Sequence, residues 1–397
     1  MQSNRPPTAE PRRTPRPGSW ARAAAVLACA SALAWAGPAA ADPLPLTVTA
    51  RLLAGVDPQS ADAQVQAVVS SEAWQQHQKA ARAGGRQLRQ RLDRMQAWQE
   101  KELPAQSRGG TLVYPFSGPD FINAYALFPD ADRYVFFSLE PPGDVPPLEQ
   151  LDAAQLASLL GDLRTALNDL VALNFFITPN MKENLQTSAL QGNVPVLLAM
   201  MGLLDLQVEA VTAFDPWPAR TKRYTQPPEP GKPAAARPEL LARGVRITFT
   251  NPRTQRHQLL EYLALDVSDH GLRFYPEFLP WLAQAGHPAV LLKSASYLFH
   301  GEHFRGLRRQ MLANAALIVQ DDTGLPYRLL REAGYTISLF GQYEKPVKLF
   351  EERYQADLEQ AYEQAGNTAS LPFPFGYNWR KEGRSGLLLA VRPAAGN

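Results

Sequence analysis

The sequence predicts an α/β protein: two similar strand–helix–strand lobes, with a mixed sheet or sheets flanked by helices. Three observations carry that expectation. Residues 111–143 and 289–324 read in the same order, an apolar strand, a Ser-bearing turn, a helix, a second apolar strand and an acidic turn. The stretches "GVRITFTN" and "HQLLEYLALDVS" alternate as two strands joined by the turn "NPRTQR", a hairpin. With 45% hydrophobic and 20% charged residues, the chain has the composition of a globular protein.

Residues 1–41 read as an export signal rather than as fold. Arg12, Arg13, Arg16 and Arg22 precede the apolar run "AAAVLACASALAWAG", and the small residues Ala39 and Ala41 follow. Cleavage is expected after Ala41, leaving a periplasmic or secreted chain. The variant reading is a lipoprotein attached at Cys29 of "VLAC". Cleavage removes Arg5, Arg12, Arg13, Arg16 and Arg22 but only one acid, Glu10, so a net charge of +2 becomes about −2. Nothing then favours nucleic acid as a partner. The single cysteine, Cys29, leaves with the signal, so no disulfide, thiol nucleophile or thiolate metal site remains. The most apolar later stretch, "VPVLLAMMGLLDLQVEAV", meets Asp205 and Glu209 too early to span a membrane.

Residues 42–104 form an N-terminal helical segment, which Gly84-Gly85 is expected to break in two. Arg82, Arg86, Arg89, Arg91 and Arg94 are read as a solvated face, with Trp74 and Trp98 packed inward. The first α/β lobe covers 105–214: strand 111–116, helix 119–127 with Pro119 at its first position, and strand 133–139. A helix capped by Asp152 with Gln155 three residues on follows, then a short strand "LNFFIT" and a helix over about 194–212. Seven prolines in 215–238 mark 215–239 as a linker or loop. The second lobe, 240–397, contains the hairpin, the second strand–helix–strand block, strand "YTISLFG", a helix from Pro346 with the stripe Phe350, Tyr354, Leu358 and Tyr362, and strand "GLLLAVR".

Candidate chemistry sits at the strand ends. Ser117, Asp120 and Glu140 close the strands of the first block; Ser294, Ser296, Asp321 and Asp322 close those of the second. If the strands of each block are parallel neighbours, these groups lie at the sheet edge where open α/β sheets bind ligands. Ser117 lacks the G-x-S-x-G elbow of esterases, so a turn or N-cap role competes with a nucleophilic one. "FHGEHF" puts His300, Glu302 and His303 together, so that a histidine and Glu302 could form an acid–base pair or a looser ligand pair, but not with the spacing of zinc proteases. No metal site is expected, and without a P-loop or G-x-G-x-x-G no cofactor is expected either.

The phrases "YPFSGPDFINAYALFPDADRYVFFSLEPPG" and "SASYLFH…LIVQDDTGLPYRLL…LFGQYEKPVKLFEERYQADL" resemble those of a group of exported bacterial proteins of unknown function. The resemblance covers most of residues 110–392, implies an exported location and transfers no catalytic residue. The first expectation is a periplasmic protein that binds a small ligand or an envelope partner in a cleft between the lobes. The competing one is a hydrolase of envelope or extracellular substrates, using Ser117 or a carboxylate with His300 or His303. A structural or assembly partner in the cell envelope is the third.

Overall fold

The computed structural model describes residues 42–105, 108–168, 190–217, 243–378 and 385–393. The expected export signal, the strand expected at 173–178 and most of the Pro-rich stretch lie outside these residues.

Strand alternation builds two cores. In Thr111–Pro115 (β1), Leu112 and Tyr114 enter one apolar cluster and Val113 the other. Arg133–Ser138 (β2) does the same, with Tyr134 and Phe136 on the first face and Val135 and Phe137 on the second. Strands buried on both faces read as continuous apolar runs, as these do.

Together with Gln207–Phe214 (β3), Arg243–Asn251 (β4), Arg256–Ala264 (β5), Ala289–Leu292 (β6), Leu317–Gln320 (β7), Thr336–Gly341 (β8) and Gly386–Val391 (β9), they form one nine-stranded mixed sheet. Its order is β3-β4-β5-β2-β1-β6-β7-β9-β8. The central five, β5 to β7, are parallel, and antiparallel strands extend both sides. Helices flank the sheet, as the fold class predicts. The two blocks expected as separate lobes are halves of this one sheet, because β1 of the first pairs in parallel with β6 of the second. Residues 42–397 accordingly make one unit.

The helices differ in detail from the expectation. Ala63–Ser70 (α2) follows Leu46–Leu53 (α1), and Glu72–Glu102 (α3) runs unbroken through Gly84-Gly85. The break falls instead at Ser71, whose Oγ accepts from the Trp74 amide and starts α3. Two glycines cost about 2 kcal/mol of helix propensity, but Trp74, Leu88, Leu92, Met95 and Trp98 anchor α3 in the core. Arg91 is buried too, unlike the exposed Arg82, Arg86, Arg89 and Arg94.

Phe121–Leu127 (α4) starts two residues later than Pro119 suggests. Ala153–Asn168 (α5) begins in the expected capping box: Asp152 Oδ1 accepts from the Ala154 and Gln155 amides, and the Gln155 side chain returns to the Asp152 amide. The helix expected over 194–212 ends at Leu203 (α6, Val194–Leu203). Asp205, at φ 59°, turns the chain into β3, where only Val208 and Phe214 are buried. Phe278–Ala283 (α7), Arg305–Asn314 (α8), Tyr327–Glu332 (α9) and Ala356–Ala365 (α10) complete the helices that position the site. Phe350 lies in a separate 3₁₀ segment, so only Leu358 and Tyr362 of the expected stripe share α10. Among the described residues, no helix is long and apolar enough to cross a membrane.

Candidate functional site

From β1 the chain passes outward to β2, and after β5 it returns to place β6 on the other side of β1. That reversal opens a crevice at the carboxyl ends of β1 and β6, the usual ligand position in doubly wound sheets. A cleft of about 140 Å³, open to solvent at its mouth, occupies the crevice. It takes residues from four successive parallel strand ends: the Phe116–Asp120 turn after β1, Ser138–Glu140 from β2, Leu265–Val267 after β5, and Lys293–Ser296 after β6.

The turn after β1 is tight, with Phe116 at φ 58° and Gly118 at φ 49°. It buries Ser117, whose Oγ has no hydrogen-bond partner. Ser117 therefore does not cap α4, and the residue lines the cleft. Asp120 ends the turn without capping the helix. Its carboxylate accepts from Tyr114 Oη at 2.9 Å and Asn123 Nδ2 at 2.7 Å, and pairs with Lys293 Nζ at 2.6 Å. Burial pulls the Lys293 ammonium pKa down, and the Asp120 charge opposes it. Arg91 of α3 completes this buried charge group. Burial lowers it to about 10, with Asp120 again opposing.

At the end of β2, Glu140 is 4% exposed and its Oε2 has no hydrogen-bond partner. Its backbone is held firmly. Tyr262 Oη, from β5, donates to the Glu140 carbonyl at 2.6 Å and lies 2.6 Å from Ser138 Oγ. The following "PPG" is tied to the start of α6 by the Asn193 and Val194 amides. Gly143 (φ 68°) packs so closely on Gln191 and Gly192 that a β-carbon would lie 2.7 Å from the Gln191 carbonyl oxygen.

At the end of β6, Ser294, Ser296 and Tyr297 all have positive φ, which for non-glycine residues marks a backbone held by its surroundings. Asp321 is the holder, since its Oδ2 accepts from the Ser294 amide and its Oδ1 from Thr323. Thr323 in turn accepts from the Ala295 amide. Tyr377 Oη donates to the Ser294 carbonyl at 3.0 Å and meets Ser296 Oγ at 2.7 Å.

The structure thus brings Ser117, Asp120, Glu140, Ser294 and Ser296 to one cleft. It does not bring the other four candidates there. Asp321 and Asp322 line a small neighbouring cavity with Tyr343, Tyr362 and Tyr377. Tyr297 Oη donates to Asp322, whose pKa burial and the adjacent Asp321 push up to about 7. His300 packs edge-on against Tyr297, and burial lowers it to about 4. His303 is exposed, and neither histidine lines the cleft. Among the described residues, no group of three or more His, Cys, Asp or Glu could hold a metal ion.

Lys293, Tyr114, Tyr262 and Arg91 were not legible as site residues. Lys293 carried the best signal, a lone cation directly after the apolar strand "AVLL". Chemically, the cleft is lined by Ser117 and Glu140, whose Oγ and Oε2 lack hydrogen-bond partners, and has apolar walls from Phe116, Leu139, Leu265, Val267, Leu298 and Phe304. No protein-family model matches the chain, and no curated protein or solved structure matches it significantly.

Proposed function

We propose that this chain is exported to the periplasm and binds a small organic ligand in the cleft at the carboxyl edge of its parallel strands. One observation carries the reading. Ser117 and Glu140 line the same cleft, and their Oγ and Oε2 are buried without a hydrogen-bond partner. Leaving such atoms unsatisfied costs about 1–3 kcal/mol each, and a polar ligand would supply the missing bonds.

The test is a thermal-shift screen of the processed chain, residues 42–397, against a metabolite library. A true ligand at a hundredfold excess over its Kd should raise Tm by roughly 5 °C. Leu298→Trp, which fills the cleft, should abolish that shift. No shift from any compound, or shifts that persist in Leu298→Trp, would overturn the reading. For export, mass spectrometry of the chain from a periplasmic extract should find Asp42 at the N-terminus.

The hydrolase alternative needs a base within reach of its nucleophile. Among the described residues no histidine lines the cleft, and the one lysine there is tied to Asp120. No observation favours hydrolysis over binding.

A further inference from the structure

We infer that the ligand is of the nucleoside type: a flat heterocycle on a furanose with a free vicinal diol, neutral or cationic overall. The inference rests on the cleft reading above and narrows it.

Three independent features select this class. The first is Glu140. It stands at the end of the strand next to β1, about twenty residues after the Gly118 turn, where an acid in a doubly wound sheet meets ribose hydroxyls. Its carboxylate is buried, and Oε2 has no hydrogen-bond partner. A carboxylate only accepts, so its natural complement is a pair of adjacent O–H donors.

The second feature is charge. Among the described residues, the lining carries three acids, Asp120, Glu140 and Asp266, against the single cation Lys293, which is engaged by Asp120. That surplus repels a phosphate chain. The turn before α4 adds no anion cradle, because the helix has only seven residues and the buried Asp120 carboxylate stands at its start. A polyphosphate nucleotide is therefore excluded in favour of a nucleoside with an uncharged or positively charged 5′ substituent.

The third is apolar. Leu139, directly before Glu140, is 51% exposed at the cleft. Phe116 and Phe304 meet edge-on in the same lining, with ring centroids 5.4 Å apart. A flat ring bound beside the diol site would cover this surface.

Calorimetric titration tests the assignment, using adenosine, 2′-deoxyadenosine, ATP, 5′-amino-5′-deoxyadenosine and S-adenosylmethionine as probes. Adenosine or one of its cationic derivatives should bind, 2′-deoxyadenosine at least tenfold more weakly than adenosine, and ATP more weakly than adenosine. Glu140→Gln should lose at least tenfold for adenosine and little for 2′-deoxyadenosine. Equal binding of the deoxy compound, tighter binding of ATP, or an unaffected Glu140→Gln would overturn the inference. If Glu140→Gln does not fold, the comparison of adenosine with 2′-deoxyadenosine on the native protein decides alone. If no nucleoside binds while another library compound does so in a Leu298→Trp-sensitive way, the nucleoside assignment falls and the cleft reading stands. If nothing binds, both fall.

Discussion

Lys293 Nζ lies 2.6 Å from Asp120 Oδ2, with the two side chains 1% and 3% exposed. The pair joins the end of β6 to the end of the β1 turn, across the boundary between the two halves of the sheet. A buried pair gains little over an apolar substitute, but breaking it strands a charge. Lys293→Met should therefore destabilise the fold by about 3–5 kcal/mol. Lys293→Met combined with Asp120→Asn should cost clearly less than the two single losses added together. Urea unfolding of the four proteins reads the coupling; strict additivity would mean that the pair does not hold the halves together.

The acid limb of stability should separate into two opposing titrations. Asp322 is pushed up to about 7 by burial and by Asp321, against about 3.9 in an unfolded chain. Between these values the folded state binds the extra proton, so stability falls as pH rises. His300 is lowered to about 4 by burial, against about 6.5 unfolded. Between those values the unfolded state binds the extra proton, so stability rises with pH. Asp322→Asn should unmask the rise and His300→Gln the fall. Each contributes a slope of at most about 1.4 kcal/mol per pH unit. Unfolding free energies from pH 4 to 7.5 would show this. Unchanged profiles in both variants would rule it out.

Gly143→Ala should be severe. Its φ of 68° disfavours a side chain, and the added carbon would press on the Gln191 carbonyl. A loss of about 2 kcal/mol or more is expected, together with weakened ligand binding, because the same segment fixes Glu140. A variant with native stability and native ligand affinity would show that the contact yields freely.

Tyr262→Phe removes the donor to the Glu140 carbonyl. A stability loss of about 1–3 kcal/mol should follow. Ligand affinity should fall further than it does in a control core variant of equal stability. Equal effects in the two variants would reduce Tyr262 to packing alone.

Trp98 of α3 meets Phe340 and Phe373 edge-on, with ring centroids 5.1 and 5.6 Å away. Trp98→Ala should cost about 3–5 kcal/mol. A loss below about 1 kcal/mol, measured by chemical denaturation, would mean that α3 is only loosely attached.

What the sequence alone determined is local. Continuous apolar runs ending in polar turns located β1, β2, β6 and β7, because a strand between two cores must be apolar on both faces. Turn chemistry located the β4–β5 hairpin, and the Asp152–Gln155 box located the start of α5. The Gly84-Gly85 break failed because propensity is a small term beside the burial of Trp74 and Trp98. Only the tertiary structure decided that β1 pairs with β6, since parallel pairing leaves no local trace between residues some 180 positions apart. That pairing draws Ser117, Glu140 and Ser294 into one cleft and leaves Asp321, Asp322, His300 and His303 outside it. Lys293 and Arg91 entered the site for the same reason. A charge reads as solvated until packing closes over it, and which charges are buried together depends on elements far apart in the chain.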